Sequence, residues 1–312
     1  MNEMEMVAVH KCFLTYPIKK FENIIDNNII SVKTRNDTIL MHIKSRKGRK
    51  KLSSFGFQVM EIFFLYLGAF PKLQSVTLNG DEQDIEEYVD KFMTYHYFVR
   101  NDLQICKINA GNLNDAVFQN YQRLNHLPIY SMEYIFSEAY KKVNITHKIT
   151  LLTHVIEGVT SQKYYKERVE DIFKEFFRLH RKYGCGVLNL LNKNRKAFVN
   201  VFVDTRHWYS HFLKESERTD RMTSGTEMVI YFEILYYSIR LFLISKLGST
   251  VCEDTVQEYL YSIHDWILEI KYGKDEPLKS KVYQSSKKWK EVQHEIEELS
   301  KRAAEEIEGY SI

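Results

Sequence analysis

The 312-residue chain has only four prolines and twelve glycines. So few breakers exclude a fold of many short strands joined by tight turns throughout, and favour long helices. Cysteine is equally sparse: Cys12, Cys106, Cys185 and Cys252 are scattered, with no Cys-x-x-Cys pair. That spacing offers neither a zinc site nor a disulfide framework, and free thiols in a reducing cytoplasm are the simpler expectation. An excess of one charge is missing too. With 44 Lys and Arg against 41 Asp and Glu the formal charge is +3, too mild to announce a polyanion partner by itself. Residues 1–9 carry Glu3 and Glu5 and no basic leader, so no secretory signal is read there. Residues 59–70 are too short to cross a bilayer, and residues 228–247 are interrupted by Glu233, Arg240 and Lys246. A buried helix of a cytoplasmic protein suits that run better than a membrane span.

What the chain does have is 44% hydrophobic, 14% aromatic and 27% charged residues, a globular balance with an aromatic-rich interior. The first third reads as mixed. Runs rich in β-branched and aromatic residues occur at 6–16, 29–33, 38–43, 73–78 and 103–108, beside Asn-Asp, Asn-Gly and Lys-Gly turn pairs. Residues 55–70 and 84–97 look helical, the second opening on acidic residues. Residues 1–125 therefore form a small α+β domain.

Beyond it the apolar spacing becomes helical, at 129–143, 148–161, 164–181, 187–203, 225–247, 253–270 and a charged terminal stretch at 280–308. The reading is mainly α: a helical bundle over residues 126–312 preceded by the α+β domain.

Arg206 and His211 draw attention as a fixed cation and a titratable imidazole close in sequence. The spacing alone is weak, because Arg35 and His42 nearly repeat it in a strand-like stretch. Context separates the pairs. Residues 198–203, apolar but for Asn200, lead into Asp204 and Thr205, good N-cap types for a new helical turn. In that turn His207 and His211 would share a face, with Arg206 at its edge near the positive helix end. Such a cluster suits a phosphate.

The stretch Phe202-Val203-Asp204-Thr205-Arg206-His207-Trp208-Tyr209-Ser210-His211-Phe212 resembles the signature of HEPN domains, an Arg followed by a polar residue and later a His. It is most similar to the Apea-like HEPN group. There valine, a polar residue, Thr, Arg, a polar residue, an aromatic, two residues and His precede a long apolar helix, here 226–247, ending in Leu-Gly. The helix holding Glu157 resembles the family's early helix with an acidic residue in an apolar setting. The resemblance covers roughly residues 129–270, and departs from the usual pattern at His207, where Asn is more common.

What the resemblance implies is an endoribonuclease that uses no metal or other cofactor and attacks the neighbouring phosphate through the ribose 2′-hydroxyl. His211 would move the proton, Arg206 would stabilise the pentacoordinate phosphate, and His207 would orient one or the other. Two protomers would face each other in a homodimer with a composite site. It further implies a prokaryotic defence effector, of anti-phage or toxin type, whose first domain answers a phage or host trigger. The alternative is a non-catalytic HEPN dimer that binds a nucleotide or a protein partner.

Other residues keep two readings. Arg206 and His211 could be an ordinary surface pair, and Glu157 either lines the site or is a satisfied core-edge carboxylate. Trp208 and Tyr209 could stack on RNA bases, or pack in the core or a dimer. The basic run at residues 44–51, with Lys47, Arg49 and Lys50, could grip RNA phosphates or be a solvated hairpin loop.

Overall fold

The computed structural model describes residues 1–10, 12–68, 71–84, 104–124, 145–183, 195–211, 221 and 225–261. The helices expected at 84–97, 129–143 and 280–308, and the start of the one expected at 187–203, lie outside these residues, as does the boundary near residue 125. Two compact units emerge: Met1–Val143 with Tyr237–Val256, and Asn144–Tyr236 with Gln257–Ile312.

The first unit is built on an antiparallel sheet of β1 (Asn2–Val9), β2 (Phe21–Ile25), β3 (Asn28–Arg35), β4 (Thr38–Ser45), β5 (Lys72–Leu78) and β6 (Asp81–Glu82). The strand order is β2-β3-β4-β1-β5-β6. Side chains alternate between faces in a strand, so Met4, Met6 and Ala8 of β1, Ile30 and Val32 of β3, and Ile39, Met41 and Ile43 of β4 are all buried. Helix α2 (Arg49–Leu67) lies against β1 and β4; a short helix, α1 (Cys12–Thr15), precedes β2. Gly56 lies close to β1: a Cβ there would stand 2.8 Å from the Met4 sulfur, and that side chain would have to shift.

Hairpins follow the turn chemistry. Asn79 and Gly80 take φ of 55° and 86° between β5 and β6, and Asp26 and Asn27 take 49° and 60° between β2 and β3, the positive values that a two-residue turn of this twist requires. The Asp26-Asn27 turn was not read in the sequence, and strand β2 was missed with it.

The end of α2 organises the rest of this unit. Its last carbonyls have no partner within the helix and carry partial negative charge. The buried Arg240 guanidinium donates from Nε to Leu65 O and from Nη2 to Tyr66 O, both at 3.0 Å. Ile105 N–H adds a bond to Tyr66 O at 2.8 Å. The Tyr66 hydroxyl donates to Asn112 O at 2.6 Å. Thr255 Oγ1 donates to Gln104 O at 2.5 Å, and Cys252 N–H to Ile105 O at 2.7 Å. These bonds correct the strand expected at 103–108: the described part, from residue 104, is irregular because its backbone is engaged here and not in a ladder. Helix α3 (Asp115–Arg123), also missed, starts at Asn114, whose side chain accepts from Val117 N–H at 3.0 Å.

The basic run is not a hairpin loop. It ends β4 and opens α2, with Gly48 as the N-cap.

The second unit is helical: α4 (Ile145–Val159), α5 (Tyr165–Tyr183), α6 (Arg195–His211), the first part of α7 (Gly225–Leu247), and residues 257–261 of α8, which is described over 253–261. Contacts join α4, α5 and α6 pairwise. Helix α7 contributes residues to both units. Its Met228–Leu247 stretch is long and apolar enough to cross a membrane by length and composition, and 89% of that window is buried inside the protein, as in a core helix.

Candidate active site

Helix α6 is held by an aromatic cluster. Phe198 and Phe202 each lie 4.9 Å, ring to ring, from Phe173 of α5, and Phe202 meets Tyr231 of α7 edge-on at 5.3 Å. Offset and edge-to-face ring pairs are favourable beyond the area they bury, so this stripe sets the rotation of α6. With Phe198, Val201, Phe202 and Thr205 turned inward and buried, Asp204, Arg206, His207 and Trp208 are left half-buried along the rim.

No new helical turn begins at Asp204. The helix runs unbroken through it, and the Thr205 hydroxyl donates to Val201 O, one turn back, at 2.6 Å. That bond satisfies the hydroxyl inside a helix, where Thr would otherwise compete for backbone groups. Arg206 therefore sits well inside α6, away from the positive end where the sequence reading placed it. The same continuity puts His207 and His211 one turn apart on one face. The side chains of Tyr209 and His211 lie outside the described residues.

Arg206 is clamped from two directions. Its Nη2 lies 2.5 Å from Glu157 Oε1, and its guanidinium carbon stands 4.8 Å from the centre of the Tyr165 ring. Only 18% of the Arg206 side chain and 34% of Glu157 are exposed. An ion pair this far from water is screened less than a surface pair, and the cation over the ring adds attraction. Arg206 Nε is buried with no hydrogen-bond partner among the described residues. The other Glu157 oxygen lies 3.8 Å from His154 Nδ1.

The frame around the clamp was not legible beforehand. Arg168 of α5 donates to Glu157 O at 2.8 Å and to Gln162 O at 2.6 Å, closing the α4–α5 turn. The Tyr165 hydroxyl donates to Thr153 O at 3.2 Å. Burial pushes that hydroxyl far above the ordinary tyrosine range, outweighing its bond to Thr153 and the nearby Arg206, so it stays a neutral donor. Tyr165 and Arg168 act through tertiary placement, and no spacing in the sequence marks them.

Glu157 and Arg206 thus come together in the helical unit, and His207 follows Arg206 on α6, half-buried. Trp208 joins them on α6, with the Arg221 guanidinium 3.8 Å from its ring centre, so one face of the indole already carries a cation. Lys47, Arg49 and Lys50 belong to the sheet unit. There Lys47 pairs with Asp26, Arg49 with Asp81 at 3.2 Å, and Lys50 is exposed. The Arg35 and His42 decoy stays in strands β3 and β4, His42 lying 3.5 Å from Glu3. Among the described residues no three His, Cys, Asp or Glu side chains are grouped to hold a metal ion.

A helical unit that anchors an arginine on a carboxylate, with histidines along the same helix, defines a class of site fit for an anionic, phosphate-like group. The family model described as Apea-like HEPN matches residues 120–251, somewhat less than half the chain. That is the family the α6 motif resembles, and the matched stretch contains Glu157, Tyr165, Arg206, His207 and His211. No curated protein and no solved structure matches the chain.

Proposed function

We propose that the protein is a HEPN-type endoribonuclease that cleaves RNA without a metal ion, working as a homodimer in prokaryotic defence of anti-phage or toxin type. HEPN domains generally serve nuclease-type or RNA-related roles, and the match over residues 120–251 supports such a role here. The observation that carries the finer reading is the Arg206 clamp, a guanidinium oriented by Glu157 and Tyr165 on the helix that also bears His207 and His211.

In this mechanism His211 takes the proton from the ribose 2′-hydroxyl, or returns one to the 5′-oxygen leaving group. Arg206 stabilises the charge that builds on the phosphate oxygens, worth two to three orders of magnitude for one well-placed donor. His207 orients the phosphate or His211. The products are a 2′,3′-cyclic phosphate and a free 5′-hydroxyl. DNA, without the 2′-hydroxyl, is not a substrate.

The test is cleavage of an end-labelled RNA in EDTA, beside the same oligonucleotide carrying a single 2′-deoxy position. Cyclic-phosphate ends, and protection of the deoxy position, support the reading. Expression in a bacterial host, with and without phage infection, adds a cellular readout: toxicity of the wild type with a harmless His211→Ala is expected. Intact RNA in the assay together with equal growth of both strains would overturn the proposal.

A further inference from the structure

A concave site lies within the sheet unit, apart from the residues of the Arg206 clamp. A cavity of about 550 Å³ opens between the segment at residues 16–21 and the segment at 104–111. That volume is in the ordinary range for a small-molecule site, roughly 300 to 1,000 Å³.

Its walls are held in place. Ile18 N–H donates to Thr34 Oγ1 at 2.8 Å and Thr34 N–H to Ile18 O at 3.2 Å, fixing one wall to β3. On the other side Asn23 Nδ2 donates to Ala110 O at 3.2 Å and to Leu113 O at 2.9 Å.

The chemistry of the lining is one-sided. Lys19, Lys20 and Lys107 line the cavity, and among the described residues no carboxylate does. None of these three ammonium groups has an ion pair among the described residues, whereas Lys44, Lys47 and Arg49 of the same unit each meet an acid. Three unpaired cations around one hollow repel each other and concentrate anions there. Tyr16 and Phe21 give the cavity aromatic wall, on which a planar ring can stack. Gln104 is 3% exposed, lines the cavity, and makes no side-chain hydrogen bond among the described residues, so its amide is available to the polar edge of a ring.

We infer that this cavity binds a nucleoside polyphosphate, with the base against Tyr16 and Phe21 and the phosphates on Lys19, Lys20 and Lys107. A ring stacks where the wall is aromatic, and the charge of three cations matches more than one phosphate. The inference does not depend on RNA cleavage by the helical unit.

Calorimetric titration of the full-length protein tests it, with ATP and GTP as probes and adenosine, guanosine and inorganic triphosphate as controls. One site per chain is expected for ATP or GTP, at least tenfold tighter than for the matching nucleoside or for triphosphate. The surface variant Lys19→Ala/Lys20→Ala/Lys107→Ala should weaken that binding tenfold or more with its circular dichroism unchanged. Arg206→Ala should bind as the wild type does, so that failure here and failure of the nuclease reading can be told apart. Absence of saturable binding by both nucleotides, triphosphate binding as tightly as the nucleotide, or a triple variant that binds normally would each overturn the inference.

Discussion

In the sheet unit the cations of the basic run are dispersed onto separate acids, Lys44 on Glu3, Lys47 on Asp26 and Arg49 on Asp81, whereas in the helical unit one guanidinium is gripped by a carboxylate and a ring together. The first arrangement has more charge and less use for it. Each exposed pair is screened by water and salt, and Arg49, Lys50 and Lys51 stand on the first turn of α2, where the helix dipole repels cations. The second has one positive group whose orientation is over-determined, the condition for acting on a phosphate. Placement, not the count of basic residues, separates a candidate site from a solvated run.

The comparison breaks most sharply at Arg206. Arg206→Ala and His211→Ala are each expected to reduce the RNA cleavage rate by about a hundredfold or more, measured under single-turnover conditions with helical content checked by circular dichroism. Glu157→Gln comes next. Loosening the guanidinium should cost about tenfold to a hundredfold in rate, as small misplacements in an active site do. Tyr165→Phe, which keeps the ring, should stay close to wild type while Tyr165→Leu falls. A Glu157→Gln enzyme faster than wild type would instead make the carboxylate a restraint.

A third cation sharpens the contrast through stability. Arg240 is 1% exposed and serves two carbonyls at the end of α2. Arg240→Met removes the donor to Leu65 O and leaves Tyr66 O with the Ile105 N–H alone, and urea unfolding should report a loss of about 2 to 3 kcal/mol. Lys47→Ala and Arg49→Ala, on partly or largely exposed pairs, should each cost under about 1 kcal/mol and leave cleavage unchanged.

The smallest effect belongs to Glu3, whose carboxyl is held below the ordinary range chiefly by its hydrogen bond to Lys44, with the Lys44 charge and His42 adding to it. A carboxylate with a lowered folded-state pKa stabilises the fold above its unfolded pKa and loses that contribution as pH falls through the folded one. Glu3→Gln should therefore lower Tm slightly at neutral pH and not at all in strong acid. An equal drop at both would assign the loss to packing.

Much of this was written in local pattern. The strand-like run at 6–16 marks the second half of β1, although the structure starts that strand at Asn2 and makes Cys12–Thr15 a helix, and Asn79-Gly80 marks a hairpin. The α6 motif carried the family resemblance, and the apolar stretch ending at Leu247-Gly248 gave α7 its limits. Other features depend on partners distant in sequence. Residues 104–108 have strand-like composition, yet Tyr66, Cys252 and Thr255 take up their backbone groups. Thr205 is a common N-cap type, but it is fully buried inside an unbroken helix and its hydroxyl turns onto Val201 O. Tyr165 became a site residue only when α5 folded beside α6, and Asp26-Asn27 was overlooked because neither residue is a glycine.

The most direct test of the Arg206 clamp is single-turnover RNA cleavage in EDTA, run side by side for the wild type, Arg206→Ala and the double variant Lys47→Ala/Arg49→Ala. The predicted result is cyclic-phosphate product from the wild type and the double variant at similar rates, and a loss of about a hundredfold or more in Arg206→Ala. Equal cleavage by Arg206→Ala, or a loss confined to the Lys47/Arg49 variant, would contradict it and return the phosphate chemistry to the basic run.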